Sequence, residues 1–136
     1  MEHQSKLIKQ LMSLLIPEDL IDNFEISKLI KRKSYYELWI EENENLIPHE
    51  LKEKEVVLDG FCNPIELQSF PLKGRTFYIK IYRRRWKEKG SNIHYSNTYD
   101  LHYEGMKSTK EFGVFLKGAF GYTPAEYNDI RKNTMY

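Results

Sequence analysis

The chain of 136 residues holds a single cysteine, Cys62, and no long apolar run. One cysteine cannot form an internal disulfide or a cysteine metal cluster, which excludes a disulfide-stapled scaffold. No stretch approaches the about 18 apolar residues of a membrane-spanning helix, so we expect no membrane contact. The apolar segment 7–16 is interrupted by Lys9, Gln10 and Ser13 and is followed by no small-residue cleavage site. We therefore expect no signal peptide and a cytoplasmic location.

A surplus of one charge sign is also missing, since 21 Lys and Arg stand against 20 Asp and Glu, a net charge of +1. This balance hides a division. Residues 37–66 contain nine acidic residues and two lysines, whereas residues 72–89 contain eight basic residues and one acid. The whole chain is therefore not a generally basic binder, but it can carry one basic face. If the acidic segment pairs internally with the basic one, that face is partly neutralised.

The spacing of apolar residues predicts one domain, residues 1–136, with helices at both ends. Helical spacing predicts a helix at residues 5–16, and alternation predicts strands between residues 23 and 103. Capping boxes, Ser108 with Glu111 and Thr123 with Glu126, predict helices at residues 108–120 and 123–132. The fold class is therefore predicted to be α+β, an antiparallel sheet of about five short strands with an N-terminal helix and two C-terminal helices.

The most informative segment runs from Arg75 to Trp86 and alternates along its whole length. As a strand it turns Phe77, Ile79 and Ile81 to a core, and interleaves cations with aromatic rings on the other face. Cations neutralise phosphates and aromatic rings stack on bases, so this face favours nucleic-acid binding. The alternative is that the aliphatic parts of these side chains lie along the sheet while their charged ends are solvated. The predicted DNA-binding residues are Arg75, Tyr78, Lys80, Tyr82, Arg83, Arg84, Arg85, Trp86 and Lys87.

A metal site at His94, Asp100 and His102 is not favoured. On an extended strand the two histidines would be about 26 Å apart, too far to share one ion. Two nearby ligands do not form a site, and a solvated polar face is the better interpretation.

Catalytic constellations are equally weak. Asp59, Glu66 and Lys80 loosely match the acid-acid-lysine layouts of nucleases but lack the compact Glu-x-Lys element, and Cys62 has no histidine nearby in sequence. We therefore predict that the chain is not an enzyme, with no catalytic residues, no metal and no cofactor.

Three stretches resemble the N-terminal region of bacterial insertion-sequence transposases of the acid-triad (DDE) class. They are Leu58-Asp59-Gly60-Phe61, then Phe70 to Arg75, then Tyr78 with Arg83-Arg84-Arg85-Trp86; Thr109 to Lys117 resembles the helix that follows. The resemblance implies a non-catalytic module that recognises the terminal DNA repeats of the element, with double-stranded DNA as its partner. The zinc-ribbon cysteines of related transposases are missing, as is the RNase-H-like catalytic domain.

The tail, from Phe112 to Tyr127, is similar to the end of the helix-turn-helix domain of arabinose-regulator-type transcription factors. That similarity implies a recognition helix; the alternative is a helix pair that only covers the sheet. The leading hypothesis is thus a DNA-binding module of a transposase. The alternative is a protein-interaction module that forms a homodimer or docks to a separate catalytic transposase subunit.

Overall fold

The computed structural model describes residues 2–102 and 107–119. In chain order its elements are α1 (Glu2–Met12), α2 (Glu18–Ile21), β1 (Phe24–Lys31), β2 (Tyr35–Glu42), a 3-10 turn (His49–Leu51), β3 (Val56–Phe61), β4 (Ile65–Leu72), β5 (Arg75–Tyr82), β6 (Arg84–Glu88), β7 (His94–Tyr95) and α3 (Lys110–Ala119). The α+β class is confirmed. The helix predicted at residues 123–132 lies outside the described residues. Within the described part, no helix has the length and apolar character needed to cross a membrane.

The strands form two sheets, so the predicted single antiparallel sheet of five strands is wrong. The large sheet has the order β1-β2-β5-β4, and the small sheet has the order β3-β6-β7. β1–β2 and β4–β5 are antiparallel, whereas β2 and β5 run parallel. The two strands can be parallel because they are not consecutive in the chain. After β2 the chain leaves the large sheet and forms β3 of the small sheet. It then re-enters the large sheet as β4, and the β4–β5 hairpin places β5 beside β2.

The core lies on one face of the large sheet. Its central strands contribute Leu38 and Ile40 from β2 and the predicted trio Phe77, Ile79 and Ile81 from β5, all buried. The fully buried residues that cover this face from outside the sheet include Ile16, Leu20 and Leu101. Burying one such side chain stabilises the fold by about 1.5–3 kcal/mol, and the alternation of β5 therefore fixes which face turns inward. This part of the prediction is confirmed.

The predicted continuous strand from Arg75 to Trp86 is broken at Arg83. β5 ends at Tyr82 in the large sheet and β6 begins at Arg84 in the small sheet. Because side chains alternate, such a break can change whether the odd-numbered or the even-numbered residues face the interior. Trp86, predicted on the exposed face with Tyr82, is only 4% exposed and lies opposite Leu58 and Tyr95 in the small sheet. The prediction that Trp86 faces outward is wrong.

The first helix ends four residues earlier than the predicted range 5–16, at Met12. Its apolar residues share one helical face, which is ordinarily the buried one. Here Leu7, Ile8 and Leu11 are 45%, 50% and 61% exposed, and Leu14 just beyond the helix is 79% exposed. The turn after Met12 carries Leu15 and Ile16 to the core instead. An apolar stripe therefore remains open to solvent.

The last described helix starts at Lys110, two residues after the predicted cap. The Thr109 hydroxyl accepts a hydrogen bond from the Phe112 amide at 3.3 Å, and so supplies the N-cap. Ser108 is fully buried, and its hydroxyl has no hydrogen-bond partner among the described residues. The prediction of a capping box on Ser108 is wrong by one residue, because the backbone of Ser108 is held in a bridge to β4.

A buried carboxylate, Glu42, joins the two sheets at the end of β2. Glu42 is 1% exposed and accepts hydrogen bonds from the Arg84 amide at 2.9 Å, from the Asn97 amide group and from the Tyr99 hydroxyl. Its own carbonyl accepts from the Arg84 guanidinium at 2.7 Å. Burial and the hydrogen bond to Glu42 raise the pKa of Tyr99, so this phenol stays a donor.

The same network explains why the last part of the predicted strand region, residues 93–102, forms only a short strand. In the described part of this segment, His94–Tyr95 pairs with β6 as β7, and His102 makes one isolated bridge with Thr109. Beyond β7, Asn97 and Tyr99 donate to Glu42, and Leu101 enters the core of the large sheet. Side-chain hydrogen bonds thus replace ladder bonds in this segment.

Candidate nucleic-acid interface

The residues predicted to bind DNA are divided between two places. Tyr78, Lys80 and Tyr82 alternate with the buried residues of β5 and therefore lie on the outer face of the large sheet. The remaining basic residues, apart from Arg75, lie in or beside β6 of the small sheet. Arg75 begins β5 and packs over the ring of Tyr36, with its guanidinium carbon 5.0 Å from the ring centroid. The structure thus does not bring the predicted residues together as one face.

The parallel register adds residues of β2 to the outer face. Glu37 lies beside Tyr78, and Trp39 lies beside Lys80. Tyr35 packs edge-on against Tyr78 with ring centroids 6.0 Å apart. The sequence offered a signal for these residues, because Tyr35, Glu37 and Trp39 alternate with the core residues of β2. Nothing local indicated that β2 would lie next to β5.

A continuous line of cation–ring and ring–ring contacts begins on this face and reaches the small sheet through Phe61 and Arg84. The ammonium groups of Lys28 and Lys80 lie 4.8 and 4.9 Å from the Trp39 ring centroid. The Trp39 and Tyr82 ring centroids are 5.3 Å apart, and those of Tyr82 and Phe61 are 5.9 Å apart. The Arg84 guanidinium lies 4.8 Å from the Phe61 centroid. These are the distances of cation–π and aromatic ring contacts. We call this set the aromatic–cation row: Lys28, Trp39, Lys80, Tyr82, Phe61 and Arg84.

Acidic side chains partly neutralise the row. Glu37 accepts a hydrogen bond from the Trp39 indole and lies 4.0 Å from the Lys80 ammonium. Glu44 lies 3.6 Å from the Arg84 guanidinium. The side chains of Lys80 and Arg84 are only 25% and 17% exposed. The acidic segment of the sequence therefore does pair internally with the basic one, and the row is more aromatic than electropositive.

The other predicted arginines make structural contacts. Arg83 donates to the Asn97 carbonyl at 3.1 Å, and Arg85 donates to the Asp59 carbonyl at 2.9 Å. Arg85 also lies 3.6 Å from the Asp59 carboxylate, which receives a hydrogen bond from His94. The Arg85 contacts join β6 to β3, and the Arg83 contact joins the break between β5 and β6 to the segment after β7. Both arginines thereby use donors that a phosphate would need.

The Asp59 carboxylate is the centre of a cross-strand charge cluster in the small sheet. Its hydrogen bond with His94 lowers the pKa of Asp59; partial desolvation opposes this, and the charges of Arg85 and Lys87 act in the lowering direction. Lys87, another predicted DNA contact, is half-buried in β6 beside this cluster. The cluster can hold three strands in register and keep Asp59 ionised.

The candidate metal site and the nuclease-like set considered in the sequence are not assembled in the structure. Their residues have other partners. His94 pairs with Asp59, and Asp100 pairs with Lys110 at 2.7 Å. Glu66 lies opposite Lys80 in the large sheet, whereas Asp59 belongs to the small sheet. Over residues 2–102 and 107–119, no group of three or more His, Cys, Asp or Glu side chains is placed to hold a metal ion.

No protein-family model matches the chain, and no curated protein or solved structure matches it either. Both resemblances noted in the sequence therefore remain predictions. Most of the residues that carry the helix-turn-helix similarity, from Phe120 to Tyr127, lie outside the described residues.

Proposed function

We propose that the chain is a non-catalytic DNA-binding module whose contact surface is the aromatic–cation row. The observation that carries the proposal is the unbroken contact from Lys28 through Trp39 and Tyr82 to Arg84. Rings on a sheet face stack on bases, and interleaved cations contact the phosphates between them. The connection to transposition comes from the sequence resemblance, which implies recognition of the ends of an insertion sequence.

The composition of the row favours bases that are accessible for stacking. A phosphate-dominated interface needs many free cations, but Lys80 and Arg84 are each close to a carboxylate. Stacking contributes about 1–3 kcal/mol per base and does not depend on net charge. The preferred ligand is therefore DNA with unpaired bases, such as an opened duplex end, rather than the groove of an intact duplex.

Removing either large ring should weaken binding to a short single strand. Trp39→Ala and Tyr82→Ala each remove a stacking surface worth about 1–3 kcal/mol, a loss of about 5- to 150-fold in affinity. Fluorescence anisotropy with a labelled mixed-sequence oligonucleotide measures this loss, and circular dichroism verifies folding.

Two controls make this experiment specific. Phe70→Ala removes a ring that is 38% exposed on β4 and packs against α3, away from the row. Leu11→Gln with Leu14→Gln changes the exposed apolar stripe. Both controls should bind as the parent does. Equal losses in the row and control variants, or unchanged affinity in the row variants, would refute the row as the contact surface.

The salt dependence of binding should be shallow. Three cations in the row, each releasing counterions from a single strand with a slope of about −0.7, give a log–log slope no steeper than about −2. Lys28→Ala should reduce that slope by about 0.7, while Lys89→Ala in the turn after β6 should leave it unchanged. Titration between about 50 and 200 mM salt measures both. A slope twice as steep would show that other basic residues make the contacts.

A protein-interaction module is the second candidate, and the exposed apolar stripe favours it. Leu14 and Phe70 line a depression of about 250 Å³ between the end of the first helical segment and β4. Val114 and Phe115 on α3 add further exposed apolar surface, at 59% and 44%. Apolar surface of this kind marks interaction sites. A catalytic transposase subunit is the partner that the sequence resemblance implies. The Leu11→Gln with Leu14→Gln variant separates the candidates, because it alters this surface and leaves the row intact.

A further inference from the structure

The strand β1 forms an open edge of the large sheet. Within the part of the chain that the structure describes, it pairs with β2 alone, and all of its eight residues except Phe24 are exposed or half-exposed. The opposite edge, β4, is partly covered. Its residue Gln68 exchanges backbone hydrogen bonds with Lys107 and Thr109 at 3.1 and 2.9 Å. A long open edge presents unpaired backbone groups and is a template for another strand.

A bulge in β1 places two exposed apolar side chains on the core side of the sheet. The register shifts between Ile26 and Lys28, so that Ile26 lies beside Ile40 and Leu29 lies beside Leu38. Both neighbours in β2 are buried, yet Ile26 is 43% exposed and Leu29 is 51% exposed. Among the described residues, the cover of the core face thus reaches Phe24 at the start of β1 but leaves Ile26 and Leu29 exposed.

We propose that two copies of this chain pair through β1, antiparallel and about a two-fold axis, with Ile26 of one copy opposite Leu29 of the other. Directly opposite residues of an antiparallel pair share a face. This register satisfies that rule and buries both apolar residues of each copy. A slip of one residue would set Ile26 against Lys28 or Ile30, which point to the outer face.

Charge complementarity supports the same register. It places Glu25 diagonal to Lys28 of the second copy, with both side chains on the outer face. Diagonal neighbours in a sheet are within reach of long side chains, and opposite charges there are favourable. A two-fold axis makes the contact self-complementary, so it closes as a dimer instead of propagating. The inference does not rest on DNA binding.

The expected result for the parent chain is a dimer, twice the 16.4 kDa chain mass, in light scattering coupled to size exclusion. Leu29→Lys should raise the dimer dissociation constant at least tenfold without changing the circular dichroism spectrum, because Leu29 is half exposed within the chain. Val57→Lys is the matched control. Val57 is 39% exposed on β3, an edge strand of the small sheet, and its variant should stay dimeric.

Cysteine cross-linking tests the register. In a Cys62→Ser background, a mixture of Ile26→Cys and Leu29→Cys chains should form a mixed disulfide much faster than either chain alone. Opposite Cα atoms in an antiparallel pair are about 4.5–5.5 Å apart, within the range that a disulfide spans. A micromolar dimer is of the strength expected for small interfaces, so a parent chain that is monomeric at about 100 μM would overturn the proposal. A dimer that is unaffected by Leu29→Lys would overturn it as well. So would chains of one variant that link to each other as fast as the mixed chains do.

Discussion

Replacing Glu42 by alanine should lower the free energy of unfolding by about 3–5 kcal/mol, because it removes a buried charged acceptor and strands its partners. Three donors lose that acceptor: the Arg84 amide, the Asn97 amide group and the Tyr99 hydroxyl. Each buried donor without a partner costs about 1–3 kcal/mol. Urea denaturation followed by far-ultraviolet circular dichroism measures the change through a shifted midpoint.

Two variants calibrate the Glu42 result. Glu42→Gln keeps the shape and one carbonyl acceptor, so its loss should be smaller than that of the alanine variant. Glu41→Ala changes the neighbouring, half-buried carboxylate on the opposite face of β2, and should stay within about 0.5 kcal/mol of the parent. A loss below 1 kcal/mol in Glu42→Ala would show that the network does not join the two sheets.

Replacing Trp86 by alanine should destabilise the chain by about 3–5 kcal/mol, the range for a large aromatic residue in a core. Trp86 is 4% exposed between Leu58 and Tyr95 of the small sheet, and the truncation leaves a cavity there. Thermal and urea unfolding measure the loss. Trp86→Phe should recover part of it, since the ring refills most of the space.

The Trp86 result also separates a structural from a DNA-contacting role. A residue that stacks on bases at the surface would lose DNA affinity and keep stability, as we expect for Trp39→Ala. Trp86→Ala should do the reverse in conditions where it remains folded. Unchanged stability with lost DNA binding would return Trp86 to the predicted DNA contacts and contradict its burial.

Local periodicity was enough to predict the parts of the fold that depend on neighbouring residues. Phe77, Ile79 and Ile81 alternate, and the pleat of a strand turns them to one side wherever the strand lies. The outward prediction for Trp86 failed because the chain changes sheets at Arg83, an event set by distant partners such as Cys62, whose amide donates to the Arg83 carbonyl. No alternation within the segment signals that change.

Only part of the candidate site could be predicted from the sequence, because the rest depends on strands that are distant along the chain. Tyr78, Lys80 and Tyr82 were predicted on an outer face because they share a parity. Trp39 reaches them through the parallel register of β2 and β5, and Phe61 through the pairing of β3 with β6; turn signals encode neither. The charge division left internal pairing open, and the contact of Arg84 with Glu44 is one instance of such pairing.

The parallel junction of β2 and β5 has a consequence for the order in which the chain folds. The two hairpins, β1–β2 and β4–β5, close locally, but their junction links residues about forty positions apart, such as Trp39 and Lys80. Contacts at such separation pay a larger loop-closure entropy and form late. Trp39 belongs to one hairpin and Tyr82 to the other. Neither hairpin as a separate peptide can therefore carry the row, which forms only when the two hairpins dock.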